Sequence, residues 1–410
     1  MVKYAIIVDG FSSGKLLFEE LQARNISCIH VLTPEGMGSY KCHPEGYFFN
    51  IDFSDNDWES LLHKLSAYSI GYVFPGCEEG VSVAEELANK LGLPGNHPMT
   101  TQFRRDKYLM QEIIQKYNLP GIKQQLVVDI SQCVSALNKI GSLPVIVKPV
   151  NDGGSINVYV CNTVEQTRES VEKLLAGHNS MGQPITHVLI QEMLQGDEYI
   201  VNTVTLYDTH HITDVWRYSK TYIPGGGVIA TRVRLIDPQS MPQLIDYTKQ
   251  VLDALEVTFG AAHTEVMVKD KKINLIETAG RIMGGGFTKE AWELMLTHNQ
   301  VESLIACHIQ PEDLKTMEFK VKNYACLVLL PIFTAGKILR ISDIDGLKSR
   351  ISSVYIFQQF VAVGDVVDVT RDDTGPYAGF MLLISNTNEA LENDLAIVAE
   401  FEGQFLTIEI

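Results

Sequence analysis

The chain has 410 residues, of which 45% are hydrophobic and 20% charged, and its formal net charge at pH 7 is −17. The length predicts two or three globular domains with a sizeable core, and the negative charge excludes nucleic acid as an expected partner, because phosphate backbones are bound by basic patches. No run approaches about 18 apolar residues, so no membrane span is expected. The seven cysteines are odd in number and lack zinc spacing, which indicates reduced thiols and a cytoplasmic protein.

The first part of the chain alternates apolar strand runs with helices. A strand over 4–8, a helix over 15–24 and a strand over 29–32 predict a parallel sheet. The turn at 10–15 is one residue short of a phosphate-binding loop, and Leu16 stands where Ser or Thr should hold magnesium, so we reject that interpretation. The dinucleotide glycine fingerprint is also missing, which makes an NAD-dependent dehydrogenase a poor hypothesis.

Two acidic residues follow the next predicted strand, over 72–75. Glu78 and Glu79 stand just before a helix predicted over 81–91. They can cap this helix through its N-terminal dipole. They can equally bind a substrate amine, because ligands of α/β sheets bind at the carboxyl ends of strands. The sequence leaves both interpretations open.

A lysine and a glycine turn follow the predicted linker helix over 104–117. Lys148 lies near the end of an apolar strand over 143–150, and a lysine in such a place needs a partner, for which a nucleotide phosphate is suited. Gly153, Gly154 and Ser155 then form a small loop whose N–H groups could bind an anion. A plain glycine-rich turn is the alternative.

The next predicted strand, over 188–194, contains candidate nucleotide contacts. The backbone of Met193 and Leu194 could read an adenine edge, and Glu192 or Glu198 could hold the exocyclic amine or the ribose. The alternative is an edge strand with solvated acids, and these residues taken without context favour it.

Further along, the segment 223–227 contains three glycines near Lys220, Tyr222 and Arg232. It is typical either of a mobile cationic active-site loop or of an inert surface hairpin.

The stretch from His263 to Gly286 predicts a β-hairpin that carries two acids. With a three-residue loop at 270–272, Glu265 stands directly opposite Glu277, whereas an even loop would send the two carboxylates to opposite faces. Two acids in apolar strands favour a cation, and carboxylate oxygens suit Mg²⁺. Arg281 follows as a fork-shaped cation for a phosphate, and glycines that include Gly285 allow close approach of a ligand. A hairpin with solvated glutamates is the alternative.

After about residue 310 the pattern becomes rich in strands. Strands are predicted over 324–331, 332–339, 361–369 and 380–385, followed by a helix over 388–400 and a strand over 405–410. A single helix is predicted before them, over 289–308. We interpret the region after 310 as a separate C-terminal α+β module.

Taken in order, these motifs resemble the ATP-grasp superfamily, and most closely its carboxylate–amine ligases called L-amino acid ligases, which include dipeptide synthetases of antibiotic biosynthesis. The resemblance implies an α/β and α+β multidomain protein with the ATP-grasp fold. The implied segments are a Rossmann-like domain (1–95), a linker helix (96–125), a lid subdomain (126–190), a catalytic subdomain (191–310) and a C-terminal α+β subdomain (311–410).

The resemblance also implies a role for each matching residue, with Lys148 both catalytic and phosphate-binding. Arg281 would steady the acyl phosphate, and His263, which otherwise packs beside the hairpin, would lie near the substrate. The implied ATP contacts are Lys107, Lys148, Gly153, Gly154, Ser155, Glu192, Met193, Leu194 and Glu198. The implied metal ligands are Glu265 and Glu277, for Mg²⁺ with Mn²⁺ as an alternative. Weaker substrate candidates are Glu78, Glu79, Lys220 and Gly285.

One position departs from the superfamily pattern, which commonly has Asn two residues after the second metal ligand. Ala279 stands there and cannot ligate, so water or a bridging Glu277 must complete the metal shell. The resemblance implies amide formation through an acyl phosphate, from small-molecule partners such as an amino acid and a carboxylic acid, in an enzyme that often forms homodimers. A biotin carboxylase-like or purine-pathway ligase and a non-catalytic ATP-binding module are the alternatives.

Overall fold

The computed structural model describes residues 3–223 and 227–409. The elements of the N-terminal unit are β1 (Tyr4–Val8), α1 (Gly14–Ala23), β2 (Cys28–Leu32), α2 (Pro34–Tyr40), β3 (Phe49–Asp52), α3 (Trp58–Leu65), β4 (Ile70–Pro75) and α4 (Val81–Lys90). The strands form a parallel sheet in the order β3-β2-β1-β4. A parallel sheet is covered on both faces, which explains why β2 is buried at all five positions. The predicted Rossmann-like sheet is therefore confirmed.

The linker contains two helices where the sequence predicts one over 104–117. These are α5 (Gln102–Arg105) and α6 (Lys107–Lys116). Asp106 separates them, because its backbone is extended and its carboxylate caps α6 by accepting from the N–H groups of Tyr108 and Leu109. The cap places Lys107 at the first position of α6.

The lid unit is an antiparallel sheet covered by two helices. Its elements are β5 (Gln124–Val127), α7 (Cys133–Ile140), β6 (Val145–Pro149), β7 (Tyr159–Cys161), α8 (Val164–Leu175) and β8 (Val188–Glu192). The strand order is β5-β8-β6-β7. Along β6, Val145 and Val147 enter the lid core, whereas Ile146 and Lys148 line a large cavity. This alternation is the pleat of a strand, and it turns the lysine toward the site.

The central unit begins with long antiparallel strands. Its elements are β9 (Asp197–Leu206), β10 (Thr209–Tyr222), β11 (Val228–Ile236), α9 (Pro242–Ala254), β12 (Phe259–Lys269), β13 (Lys272–Ala279), α10 (Lys289–Met295), α11 (Gln300–Ile309) and α12 (Pro311–Thr316). The single helix predicted over 289–308 is wrong, because Asn299 starts a second helix with a capping box that involves Glu302.

The C-terminal region extends the central sheet. Its elements are β14 (Tyr324–Pro331), β15 (Gly336–Ile341), α13 (Ile344–Lys348), β16 (Val354–Gln359), β17 (Val366–Val367), β18 (Tyr377–Ser385), α14 (Asn388–Phe405) and β19 (Leu406–Glu409). One eight-stranded sheet runs in the order β13-β12-β9-β10-β11-β14-β18-β16, and a small sheet has the order β17-β15-β19. The region is α+β as predicted, but its strands β14, β16 and β18 belong to the central sheet, because β14 pairs with β11.

The strand predicted over 361–369 is reduced to the two residues of β17. The boundaries of the five predicted segments stay predictions. No helix in residues 3–223 or 227–409 is long and apolar enough to cross a membrane.

Candidate functional site

A cavity of about 920 Å³ lies where the lid unit, the central sheet and the N-terminal unit meet. The lid faces it with β6 and the glycine loop, and the central sheet faces it with β10 and β12. The loops after β1 and β4 close its N-terminal side. Because these segments are distant in sequence, only the packing of the units forms the cavity. All the predicted site residues line it: Glu78, Glu79, Lys107, Lys148, Gly153, Gly154, Ser155, Glu192, Met193, Leu194, Glu198, Lys220, His263, Glu265, Glu277, Arg281 and Gly285.

Glu265 and Glu277 pair directly across the β12–β13 hairpin, as predicted, but through a different register. The loop is even, because Lys269 pairs with Lys272, and both residues of the tight turn have left-handed backbone. The predicted three-residue loop is therefore wrong. The register shifts at a β-bulge, where Glu265 pairs with Glu277 and Val266 pairs with Leu275, so that Ile276 on β13 is an extra residue without a partner on β12. This extra residue returns the two carboxylates to the same face of the hairpin.

A buried hydrogen-bond chain positions the first of these carboxylates. Asn202 donates to Asp214 at 2.5 Å, which turns the amide oxygen of Asn202 toward His263 Nδ1 at 2.9 Å. His263 Nε2 then lies 3.2 Å from Glu265 Oε1. Burial alone would raise the pKa of Glu265, but the hydrogen bond from His263 and the charge of Lys220 outweigh it and lower the pKa to about 2. Glu265 is therefore ionised at neutral pH.

The carboxylate pair fits a divalent cation that is shared with phosphates. Two like charges directly opposite on a sheet repel each other unless a cation lies between them. Within the described residues no group of three or more His, Cys, Asp or Glu side chains could hold a metal. Ala279 pairs with His263 and contributes no ligand. Two carboxylates plus substrate phosphates are the usual Mg²⁺ environment, so the donor set suits that ion.

Two lysines make the adjacent part of the cavity cationic. Lys107 Nζ lies 3.0 Å from Glu277 Oε2 and donates to the carbonyl of Asp152 at 2.6 Å. Lys148 is only 8% exposed and forms no ion pair with a described residue. Burial, and then the charge of Lys107, lower the pKa of Lys148 to about 8. An anion that reaches this end of the cavity would relieve the repulsion between the two ammonium groups.

The segment after β8 offers a polar edge. The side chain of Glu192 accepts from the N–H of Lys123 at 2.9 Å, and the N–H of Glu192 donates back to the Lys123 carbonyl at 2.9 Å. Glu192 thereby fixes the start of the segment. Met193 and Leu194 line the cavity beyond the last pair of β8, and among the described residues their N–H groups have no backbone partner. Their backbone is available to a flat heterocycle.

Glu198 and Lys220 form an ion pair on neighbouring strands, with 2.7 Å between their charged atoms. Burial raises the pKa of Glu198. Although burial alone would lower the pKa of Lys220, the charges of Glu198 and Glu265 raise it. Lys220 therefore stays charged beside two carboxylates. The predicted cationic loop at 223–227 lies outside the described residues at positions 224–226.

The N-terminal end of the cavity contains a ladder of ion pairs. Arg281 Nε donates to Glu78 Oε2 at 2.9 Å, and Arg105 contacts Glu78 Oε1 at 2.6 Å and Glu35 at 2.5 Å. Burial opposes ionisation of Glu78, but the charges of Arg105 and Arg281 lower its pKa to about 2. Both oxygens of Glu78 are thus occupied by arginines. The ladder connects α2, α5, the loop after β4 and the segment that follows β13.

Glu79 lies in the same cavity without an ion-pair partner among the described residues. Nearby, burial raises the pKa of Asp9 to about 7, although Thr33 donates two hydrogen bonds to it, and Glu79 adds to the effect. The hydroxyls of Ser13 and Ser39 are buried there and have no hydrogen-bond partner in the part of the chain described. This end is therefore acidic and polar, opposite in charge to the lysine end.

Glycines shape two approaches to the cavity. Gly154 and Gly285 have left-handed backbone, with φ of +63° and +70°. A Cβ added at Gly154 would lie 2.8 Å from Thr374, whereas one at Gly285 would meet nothing within 4 Å. Gly285 therefore borders open space beside Arg281.

Sequence reasoning missed three contributors. Arg105 could have been found from the sequence, because two adjacent arginines, Arg104 and Arg105, stand directly before Asp106, and such charge clusters often form ion pairs. Asp152 supplies a carbonyl to Lys107. Asp373 is hydrogen-bonded to Ser155 across 218 positions, and no local pattern could have indicated this contact.

A family model described as an ATP-grasp domain matches residues 141–290. This span runs from just before β6 into α10, so it contains Lys148, the glycine loop, the segment after β8 and the paired glutamates. Residues 141–290 therefore match an ATP-grasp domain, and the cavity is lined by this part of the chain together with the N-terminal unit and a few residues of the C-terminal region.

Comparison of whole chains extends the likeness beyond this domain. The chain is 27% identical over 410 residues to Dapdiamide A synthase from Enterobacter agglomerans, covering 98% of this chain and 96% of that protein. It is 19% identical to the L-arginine-specific L-amino acid ligase from Bacillus subtilis, covering 83% and 81%.

A solved structure agrees with these sequence matches. The L-amino acid ligase from Bacillus licheniformis superposes with a TM-score of 0.76 at 17% identity, covering 100% of this chain and 99% of that one. This likeness shows the fold. All these matches confirm the predicted ATP-grasp fold and the resemblance to ATP-grasp amino acid ligases.

Proposed function

We propose that the protein is an ATP-dependent carboxylate–amine ligase that joins an amino acid to a second amino acid or to a small carboxylic acid. One observation carries the proposal: a single cavity has a cationic end and an acidic end, and Glu265, Glu277 and Arg281 line the same cavity. The cationic end suits the triphosphate and the acidic end suits an ammonium group. The similarity to amino acid ligases supports the same assignment.

ATP would bind between the lid unit and the central sheet. Lys107 and Lys148 would neutralise the phosphates, and the N–H groups of the glycine loop would cover them. Met193 and Leu194 would read the adenine edge through their backbone, while Glu198 would accept from the ribose hydroxyls. Glu192 would hold the hinge through Lys123.

Glu265 and Glu277 would hold Mg²⁺, or Mn²⁺ in its place, together with phosphate oxygens. When bound, the ion supplies positive charge that stabilises the transferring phosphoryl group. The chain of Asn202 and His263 would keep Glu265 turned toward that position. Lys107 would exchange part of its contact with Glu277 for a phosphate.

The substrate ammonium group would bind at the acidic end. Glu79 is the better candidate than Glu78, because the two arginines already neutralise Glu78. The buried hydroxyls of Ser13 and Ser39 would add neutral hydrogen-bond partners. Gly285 leaves room beside Arg281 for a substrate side chain.

The reaction would proceed in two steps. The substrate carboxylate oxygen attacks the γ-phosphorus of ATP, the bond to the β-phosphate oxygen breaks, and an acyl phosphate and ADP form. The amine then attacks the acyl carbon, loses a proton and expels inorganic phosphate, which leaves an amide. Arg281 would stabilise the negative oxygen that develops in this second step. Exclusion of water by the lid unit would protect the acyl phosphate.

The test is phosphate release from Mg-ATP across a matrix of paired L-amino acids and small carboxylic acids, with mass detection of products. Release that depends on a pair, with a product lighter than the summed substrates by one water, is the expected result. Release with bicarbonate alone would contradict the proposal and indicate a carboxylase. ATP binding without release under any pairing would indicate a non-catalytic module.

Two further expectations concern the location and the oligomeric state of the protein. The seven cysteines are all free, in keeping with action in the reducing cytoplasm. A homodimer is expected from the resemblance, and sedimentation of the purified protein would test it.

A further inference from the structure

Asp373, on the loop between β17 and β18, connects the glycine loop to the central sheet. Its Oδ2 accepts a hydrogen bond from the Ser155 hydroxyl at 2.7 Å, and its Oδ1 accepts from the N–H of Ala230 on β11 at 2.9 Å. Its own N–H donates to the carbonyl of Gly154 at 3.2 Å. One residue therefore connects the glycine loop of the lid unit to the eight-stranded sheet.

The backbone of the glycine loop needs such a restraint. Ser155 has a φ of +56°, a left-handed conformation that is unfavourable for a residue with a side chain. Conformations of this kind persist only where the surroundings hold them. Thr374 packs against Gly154 so closely that a Cβ on Gly154 would lie 2.8 Å from it. The partly exposed loop thus contacts the 371–376 segment on one side.

The contacts of Asp373 are not required to form its own turn. Asp372 already caps this turn, because its Oδ1 accepts from the N–H of Thr374 at 2.9 Å and from its hydroxyl at 2.7 Å. Asp373 accepts a long hydrogen bond of 3.4 Å from the Tyr377 hydroxyl in its own segment, but its shorter hydrogen bonds come from Ser155 and Ala230, on two other units. The two neighbouring acids therefore provide a matched pair, one holding the turn and the other holding the glycine loop.

We propose that Asp373 is a positioning residue that holds the glycine loop closed over the triphosphate through the hydroxyl of Ser155. This proposal rests on the proposed ligase function. A loop held closed keeps water from the acyl phosphate, so the amine attacks before hydrolysis releases the acid. Loss of the contact would therefore separate ATP consumption from amide formation.

The first experiment needs no substrate. Hydrogen exchange of the amides at 154–158 is compared in the wild type, Asp373→Ala, Ser155→Ala and the control Asp372→Ala, all in the absence of ATP. Because a hydrogen bond to a charged acceptor is among the stronger ones in proteins, removing it from either side should speed exchange about tenfold. Asp372→Ala should change exchange mainly at 373–375. Unchanged exchange at 154–158 in both variants would overturn the proposal.

The second experiment measures ADP formed per amide formed. We expect a ratio near unity in the wild type and a several-fold excess of ADP in Asp373→Ala. In the double variant with Ser155→Ala, the second substitution should add little, because its partner is already gone. Independent, multiplying effects would overturn the proposal. If the wild type makes no amide from any pair, the ligase function fails, and the exchange measurement still decides the role of Asp373.

Discussion

Arg281 Nε donates a hydrogen bond to Glu78 Oε2 at 2.9 Å, although the two residues are 203 positions apart. Glu78 ends a loop of the N-terminal unit, and Arg281 follows the strand that carries Glu277. The contact therefore aligns the proposed catalytic arginine with the domain that would present the substrate. Because Arg105 holds the other oxygen of Glu78, the carboxylate has little freedom to rotate.

Glu78→Gln should lower kcat more than it raises the KM of either substrate. The amide keeps the shape of the side chain but loses the charge that orients Arg281, and a misplaced catalytic group costs about a hundredfold. Steady-state kinetics with the pair found in the substrate matrix checks this. The control is Glu86→Gln on α4, whose partner is the surface residue Lys90. A pure KM effect would show that Glu78 binds substrate directly.

Glu79→Gln should instead raise the KM of the substrate whose ammonium group lies at the acidic end. One charged hydrogen bond is lost, so an increase of about tenfold is expected, with the KM of ATP unchanged. The same substrate without its amino group should bind the wild type and the variant equally. An equal loss for both compounds would place the ammonium group elsewhere.

Lys148 should make ATP binding depend on pH. Its pKa of about 8 follows from burial and from the charge of Lys107, and bound phosphates would raise this pKa. The bound state then holds the proton more tightly than the free enzyme. The KM of ATP should accordingly be constant below about pH 8 and increase above it, by up to about tenfold per pH unit.

Lys148→Met should have a high KM for ATP without this inflection. The comparison is made between pH 6.5 and pH 9.5, values chosen to bracket the inflection at about pH 8. An identical inflection in the variant would assign the titration to another group.

Glu85→Ala should destabilise the protein by about 3–5 kcal/mol, because it leaves a buried arginine unpaired. Arg104 has 0% side-chain exposure and contacts Glu85 at 2.8 Å. Thermal and urea unfolding measure the loss. The neighbouring substitution Glu86→Ala should change stability by less than about 1 kcal/mol. Replacing both Glu85 and Arg104 by Met should recover much of the loss, and failure to do so would mean that the pair has a further role.

Local sequence patterns predicted much of the fold. Buried apolar runs and their spacing predict the parallel sheet and most strands, since burial demands apolar side chains on both faces. The ordered motifs around Lys148, Glu265 and Glu277 predict the ATP-grasp fold, which the comparisons confirm. The pairing of Glu265 with Glu277 was predicted correctly from a wrong loop length, because a bulge is not marked by any residue type.

The errors share a physical origin. The sequence marks where a strand is buried but not which strand it pairs with, so it could not show that the pairing of β14 with β11 joins part of the C-terminal region to the central sheet. The helix over 289–308 was split because a cap formed by Asn299 overrides apolar continuity. Both outcomes depend on contacts whose energy is realised only in the folded chain.

The sequence by itself determined which residues could carry the chemistry, because lysines, paired acids and glycine turns have fixed chemical properties. The tertiary structure decided which of them work together. Glu78 is neutralised by two arginines, whereas Glu79 has no ion-pair partner among the described residues, and Asp373 reaches Ser155 across 218 positions. Local spacing specifies strand faces and helix caps, whereas charge compensation depends on distances between units, and these exist only after the domains have packed.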